Sequence, residues 1–376
     1  MADCNNPRGV KKVSDRLAAT DHTIAALGDL VYPEGSAAQF KECFDPSFGA
    51  VADRMRPTPG NHEYTPGTAD AYFDRFGAAA GPDRRGWYAY DLGDWRVISL
   101  NSNCWEIGGC KEGSDQHQWL LDELAAHPDA CRVVYWHHPR FSSSGNYGNA
   151  RFMQPISEAL TDAGTEVILS GHAHHYERFA RLDADGSPDP AGPRYFTVGT
   201  GGTFPRGFGR TQDGSEVRKS GVYGVLELTL EPDRWSWSFE AEGGRFTDNG
   251  SEPCRNAQGL NGDSPQAEDQ AASAIDFLYR AAFGRQPDAG GKRFWLDQLR
   301  GGRPLVEISA EFSRSPEFTG LYGNPSNRAF VALLYRNVLD REPDAGGAAF
   351  WLQRLNTQSR AELLLQFSFS VEFRAN

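Results

Sequence analysis

Four short strings hold the residues best equipped for chemistry: ALGDLVY (Gly28, Asp29, Tyr32), PGNHEY (Gly60, Asn61, His62, Glu63), VVYWHHPRF (His137, His138) and VILSGHAHHYERF (Gly171, His172, His174, His175). Taken singly, each has an ordinary reading. Gly-Asp after a strand is a turn, His-x-His is a surface pair or a satisfied core histidine, and Asn61 caps a loop. Taken together, they place an aspartate, an asparagine and several histidines just past the ends of strand-like runs. That mixture of oxygen and imidazole donors suits a pair of borderline-hard metal ions such as zinc, manganese or iron.

The elements that must carry these residues are legible beside them. TIAAL, RVVYW and EVILS read as buried strands, and each delivers its polar residues at its carboxyl end. Open α/β sheets place their sites at that edge. Residues 1–241 alternate such runs with amphipathic helical stretches and Gly/Pro loops, which makes a first α/β domain. Residues 242–272 are polar, rich in Gly, Asn and Asp and without a period, and read as a linker. Residues 273–376 change to helix-forming sequence with an internal repeat: FLYRAAFGRQPDAGGKRFWLDQL from Phe277 matches LLYRNVLDREPDAGGAAFWLQRL from Leu333. A two-unit all-α module follows. Its aromatic pairs Phe294-Trp295 and Phe350-Trp351 read as helix packing rather than as a sugar platform.

Composition excludes several classes of function. The chain has 376 residues, 39% of them apolar and 12% aromatic, enough for a large core plus a smaller domain. A formal charge of −12 does not supply the basic face that a nucleic-acid backbone needs. No apolar run approaches the length of a membrane span. The six cysteines are scattered rather than set in CxxC pairs, which favours disulfides and an oxidising compartment over a zinc ribbon. Cys104 and Cys110 flank a short Gly-Gly loop and are expected to pair, with Cys4 and Cys43 next.

The series GD, GNH with Glu, His and GHxH resembles the calcineurin-like metallophosphoesterases. Tyr32 three residues after Asp29, with GHAHHYER, is similar to the purple-acid-phosphatase branch. The resemblance covers about residues 1–240 and implies a metallo-dependent phosphatase fold, with two central β-sheets flanked by helices. It implies that Asp29 bridges two divalent or trivalent metal ions (Fe, Zn or Mn), one taking Asn61, His137 and His172, the other Tyr32 and His174. His137 rather than His138 fits the family's His-x-Pro pattern. His62 resembles the histidine that meets the substrate phosphate and protonates the leaving oxygen. His175 and Arg206, with Arg210 beside it, are carried as candidate substrate contacts; loops 141–150 and 203–220 are expected to line the mouth. The residue types suit the reaction. Phosphoester hydrolysis needs a hydroxide nucleophile near neutral pH and relief of negative charge, which a metal pair about 3.5–4 Å apart provides by in-line displacement. Asn61 is a neutral ligand that leaves its metal a strong Lewis acid, and imidazole has the pKa of a general acid. Tyr32 ligates only as phenolate and so favours a trivalent ion, the alternative being a hydrogen-bonded tyrosine packed beside the site.

In close relatives the pattern begins with a further Gly-Asp, an apolar residue, Ala, a variable residue and Cys, whose last four positions match MADC. The expectation is that the first metal-ligating Asp and a leader lie upstream of Met1, that no first strand precedes the helix VKKVSDRLAAT, and that Asp3 is the substitute ligand to test. The C-terminal repeats resemble a bacterial extracellular domain of unknown function (DUF4214) and suggest attachment to a cell surface or a protein partner. The reading is therefore a secreted phosphoester hydrolase; the alternative is a non-catalytic secreted binding protein with a degenerate phosphatase site.

Overall fold

The computed structural model describes residues 1–255, 265–301, 303–355 and 358–368, and the chain divides into two units, Met1–Ala257 and Gln258–Asn376. Fourteen strands are described in the first: β1 (Ala2–Asp3), β2 (Ile24–Leu27), β3 (Val31–Tyr32), β4 (Met55–Thr58), β5 (Tyr88–Leu92), β6 (Trp95–Ser99), β7 (Cys131–Trp136), β8 (Val167–Ser170), β9 (Tyr176–Arg181), β10 (Arg194–Val198), β11 (Ser215–Lys219), β12 (Gly224–Glu231), β13 (Arg234–Ala241) and β14 (Thr247–Pro253). Seven form one mixed sheet in the order β11-β9-β10-β8-β7-β6-β5, and β12-β13-β14 form a second, antiparallel sheet. Two short parallel pairs, β2 with β4 and β1 with β3, complete the strand set.

The continuous apolar runs are continuous because both faces of their strands are covered. Along β7, Cys131, Val133 and Tyr135 join a core with Trp235, Trp237 and Phe239 of β13. Val134 and Trp136 face the other way, toward Leu120 and Leu124 of the helix Asp115–Ala126 and Ile156 and Leu160 of the helix Gln154–Asp162. The seven-stranded sheet thus lies between helices and the second sheet. Strands β6, β7, β8 and β10 run parallel to one another, so the segments that follow β6, β7 and β8 emerge at a common edge.

Two expectations are corrected here. A strand does precede the first helix, Pro7–Ala18: β1 is two residues long and pairs with β3, Ala2 opposite Val31 and Asp3 opposite Tyr32. The stretch 242–272 is not a linker throughout. Residues 247–253 are β14, paired along β13, and the helix Pro265–Phe283 begins within its second half. β14 lacks an apolar alternation because its buried residue, Asp248, is charged and accepts hydrogen bonds from Tyr176 Oη (2.7 Å) and Arg178 Nε (2.8 Å). Residues 256–264 of the expected linker lie outside the described residues.

Three disulfides tie the first unit: Cys4–Cys43, Cys104–Cys110 and Cys131–Cys254. The last joins the start of β7 to the residue after β14 across 123 residues. By loop entropy, a closure of that length contributes about 4–5 kcal/mol.

In the second unit the repeat has a packing reason. Asp288 caps the helix Ala289–Arg300 by accepting from Gly290 and Gly291 N–H, and Asp344 caps Ala345–Arg354 by accepting from Gly347 N–H. A Cβ on Gly291 would stand 2.4 Å from Tyr279 Oη, and one on Gly347 2.3 Å from Tyr335 Oη. The second glycine of each PDAGG string thus leaves room for the tyrosine hydroxyl of its unit, which a larger residue would displace. Trp295 and Trp351 pack against the helical core, while Phe294 is 53% exposed, so only the second residue of the first aromatic pair is core. The side chain of Phe350 lies outside the described residues.

Candidate metal centre

The first three strings leave strand ends: Asp29 follows β2, Asn61 and His62 follow β4, and His137 and His138 follow β7. The fourth, His172 to His174, follows β8. Glycine lets two of these segments touch. A Cβ on Gly60 would stand 2.2 Å from Asp29 Oδ1, and one on Gly28, at φ 81°, would stand 2.5 Å from His137 Nδ1. Asp29 (φ 49°) and His172 (φ 58°) adopt the left-handed region without being glycine, a strained backbone of the kind that clusters at functional sites.

A buried carboxylate fastens the first two segments together. Glu63 accepts from Asp29 N–H (2.9 Å), Leu30 N–H (2.8 Å) and Gly60 N–H (2.7 Å), with the side chain wholly buried. Burial and the neighbouring Asp29 push its pKa up, against the pull of those N–H donors. The sequence displays Glu63 only as part of GNHE; its bracing role depends on the approach of a segment 34 residues earlier.

The imidazoles are oriented by hydrogen bonds on their far sides. His137 Nδ1 donates to Leu27 O (2.7 Å) and His174 Nδ1 to Phe204 O (3.0 Å), which turns both Nε2 atoms inward and leaves that of the neutral His174 with a free lone pair. Around His137 Nε2 stand Asp29 Oδ2 at 3.2 Å, Asn61 Oδ1 at 3.2 Å and His172 Nδ1 at 3.1 Å. His174 Nε2 lies 3.3 Å from Tyr32 Oη, which donates to Asp29 Oδ2 at 2.8 Å. Asp29 therefore touches both groups.

Burial, reinforced by the adjacent His137, lowers the pKa of His172 to about 2 and that of His138 to about 3; burial lowers that of His174 to about 4. These rings are neutral near pH 7, the form that binds metals. Burial opposes ionisation of Asp29, but the flanking His137 outweighs it and holds the carboxyl well below the usual range. Burial and the Asp29 charge push Tyr32 well above the ordinary phenol. Against the effect of burial, Asp29 in turn raises the pKa of His137, so a proton on His137 Nε2 sits where the carboxylate, the Asn61 amide oxygen and the neutral His172 converge at about 3 Å. Oxygen and imidazole donors gathered around one cation site are a set that fits a metal ion in place of that proton.

His62 borders this cluster. Its Nδ1 donates to Pro33 O, its Nε2 lies 4.0 Å from Asp29 Oδ2, its ring is 4.4 Å from that of Tyr32, and its side chain is 31% exposed. Arg206 is also close by: its N–H donates to His174 O (2.9 Å) and its guanidinium lies over Tyr147. His175 is a correction. It is completely buried and its Nε2 meets Glu177 at 3.3 Å, because the entry into β9 alternates and turns it away from His174. Asp3 has its carboxylate engaged by Asn5 N–H (2.8 Å) and Thr203 Oγ1 (2.7 Å).

Two further residues stand at the site: His138, set aside in the sequence in favour of His137, and Tyr147, a member of the loop expected to line the mouth. His138 groups with His137 and His172, their ligand atoms within 4.8 Å of one another, and its Nδ1 shares a hydrogen bond with Ser102 Oγ at 2.9 Å. Tyr147, from the loop 141–150, lies 4.2 Å from the His172 ring.

Residues 6–176 match the family model of the calcineurin-like phosphoesterases, and residues 266–321 and 309–376 each match the domain of unknown function DUF4214. Purple acid phosphatase 15 of Arabidopsis thaliana is 30% identical over 155 residues, covering 38% of this chain and 28% of the relative. Purple acid phosphatase 23 of the same plant is 27% identical over 228 residues, covering 54% and 48%. The structure of purple acid phosphatase PPD1 from yellow lupin (Lupinus luteus) seeds superposes with a TM-score of 0.58 at 19% identity, over 67% of this chain and 50% of that one, which shows a shared fold. The chain spans about half the length, or less, of these curated relatives. Residues 6–176 thus match the calcineurin-like phosphoesterases, the first unit shares the metallo-dependent phosphatase fold of a purple acid phosphatase, and residues 266–321 and 309–376 match DUF4214.

Proposed function

We propose that the first unit hydrolyses phosphoesters at a two-metal site in which Asp29 is shared, Asn61, His137 and His172 hold one ion, and Tyr32 and His174 hold the other. The observation that carries this reading is the convergence of Asp29, Asn61 and His172 donor atoms on His137 Nε2, with Asp29 also in contact with the Tyr32 and His174 group. Iron, zinc and manganese are the candidate ions, and such a pair supplies an activated nucleophile and neutralises charge on the transferred phosphoryl group. Tyr32 would have to lose its proton to ligate, which its burial resists, so its half of the site calls for a highly charged ion such as Fe(III). The chain's own residues do the rest. Leu27 and Phe204 carbonyls keep the His137 and His174 rings turned inward, and Glu63 keeps the Asp29 and Asn61 segments in register. His62, held by Pro33 O, presents Nε2 beside Asp29 at the partly exposed rim and delivers a proton to the leaving oxygen there. Arg206 meets a phosphate oxygen from the His174 side.

His62→Ala is therefore expected to leave metal content nearly unchanged and to lower turnover most for esters with poor leaving groups. Comparing an alkyl with a nitrophenyl ester checks it, since protonation matters most for a basic leaving oxygen. Equal loss on both would mean that His62 only binds.

Three disulfides support an oxidising, extracytoplasmic setting, and the C-terminal repeats are proposed as an element that attaches the chain to a surface or a protein partner.

A further inference from the structure

From His172 a row of rings leads outward. The His172 and His138 centroids are 4.5 Å apart, His138 and Phe152 5.8 Å, and Phe152 and Trp105 4.7 Å. Trp105 ends the row with 72% of its surface exposed. It belongs to the segment that follows β6, in which Ser102 steadies His138 and buried Cys104 and Cys110 close a loop. With both sulfurs in the core, the indole between them has only the outward direction. Its contact with Phe152 is edge-type, at 63°, not a parallel stack, and most of the indole is open to solvent. The two rings line a groove of about 610 Å³ that Lys111 and Arg151 make positive on balance, with Glu158 at its wall.

We infer that this row is the leaving-group side of the site, and that it selects phosphoesters whose alcohol portion ends in a planar ring. The inference rests on the phosphoester hydrolysis proposed above. With the phosphate among the histidines, Phe152, one ring beyond His138, is the nearer partner for a ring attached directly to the ester oxygen, and Trp105, one ring further out, is the partner for a ring carried on a sugar, as in a nucleoside phosphate. Stacking is available to any flat π system and to no aliphatic alcohol. Lys111 and Arg151 offer charge to the polar parts of a nucleotide, which a simple aryl ester lacks.

The test compares adenosine 5′-monophosphate, phenyl phosphate and glycerol phosphate on the metal-replete full chain. Trp105→Ala is expected to lower the kcat/KM ratio of the nucleotide to glycerol phosphate by about tenfold, the usual cost of one lost base stack. Phe152→Ala is expected to lower the ratio of phenyl phosphate to glycerol phosphate as well. Unchanged ratios in both variants, or equal losses on all three esters, would overturn the subsite. A fall with Phe152→Ala alone would assign the row to aryl esters and overturn the nucleoside arm. If the unaltered protein hydrolyses none of the three, monoester hydrolysis fails and the subsite is decided by binding alone: adenosine should quench tryptophan fluorescence in the unaltered protein and lose that component in Trp105→Phe. No such difference would overturn the subsite.

Discussion

His172→Ala is expected to lower kcat/KM for phosphoester hydrolysis by more than about a hundredfold, because loss of a residue that merely orients a metal ligand already costs 10–100-fold. His172 Nδ1 is one of the lone-pair atoms around His137 Nε2, and its depressed pKa keeps it available as a neutral donor. The variant also tests the backbone. His172 sits at φ 58°, where alanine is strained by about 1 kcal/mol and asparagine is better tolerated. His172→Asn should therefore be the more stable of the two and still lose most of the activity. Metal analysis with steady-state kinetics checks both, and near-normal turnover in either would remove His172 from the site.

Glu63→Ala should have the largest effect on stability of any single change at the site. It would strand three buried N–H groups, those of Asp29, Leu30 and Gly60, each costing about 1–3 kcal/mol when left unpaired. At about 2–4 °C per kcal/mol for a unit of this size, Tm should fall by roughly 10 °C or more. Glu63→Gln keeps one acceptor but turns an amide N–H toward another donor, so it should recover only part of the loss. Thermal unfolding followed by circular dichroism decides it; a Tm unchanged in Glu63→Ala would mean that water or a rearranged loop replaces the carboxylate.

The strand ends were legible because the buried parallel strands are mostly apolar, Arg132 of β7 and Ser170 of β8 excepted, so Asp29, His137 and His172 stand out just past such runs. What escaped notice depends on contacts between distant segments. Glu63 looks like any acidic residue until Gly60 and Gly28 bring two loops within reach. His138 seems redundant beside His137 until Ser102, 36 residues earlier, holds its ring toward His172. His175 was misplaced by a single position: next to a ligand in sequence, it is on the opposite side once β9 begins at Tyr176. β14 was hidden because its inward residue is Asp248, whose partners Tyr176 and Arg178 lie about 70 residues away. Cys131 showed no pairing signal within an apolar run, and its partner Cys254 lies 123 residues on. Local chemistry is written locally; braces and inward charges are not.

The central claim is that the segments of Asp29, Asn61, His137 and His172 form a metal-dependent phosphoesterase site. Its most direct test is hydrolysis of a chromogenic phosphate ester by the full chain after chelation and after graded return of iron, zinc or manganese, with bound metal counted in the same samples. Activity should vanish with the metal and return in proportion to its binding, and Asn61→Ala should abolish both the return and part of the binding. Hydrolysis that persists in the chelated protein, or metal that binds equally well in Asn61→Ala and leaves its activity intact, would contradict the claim.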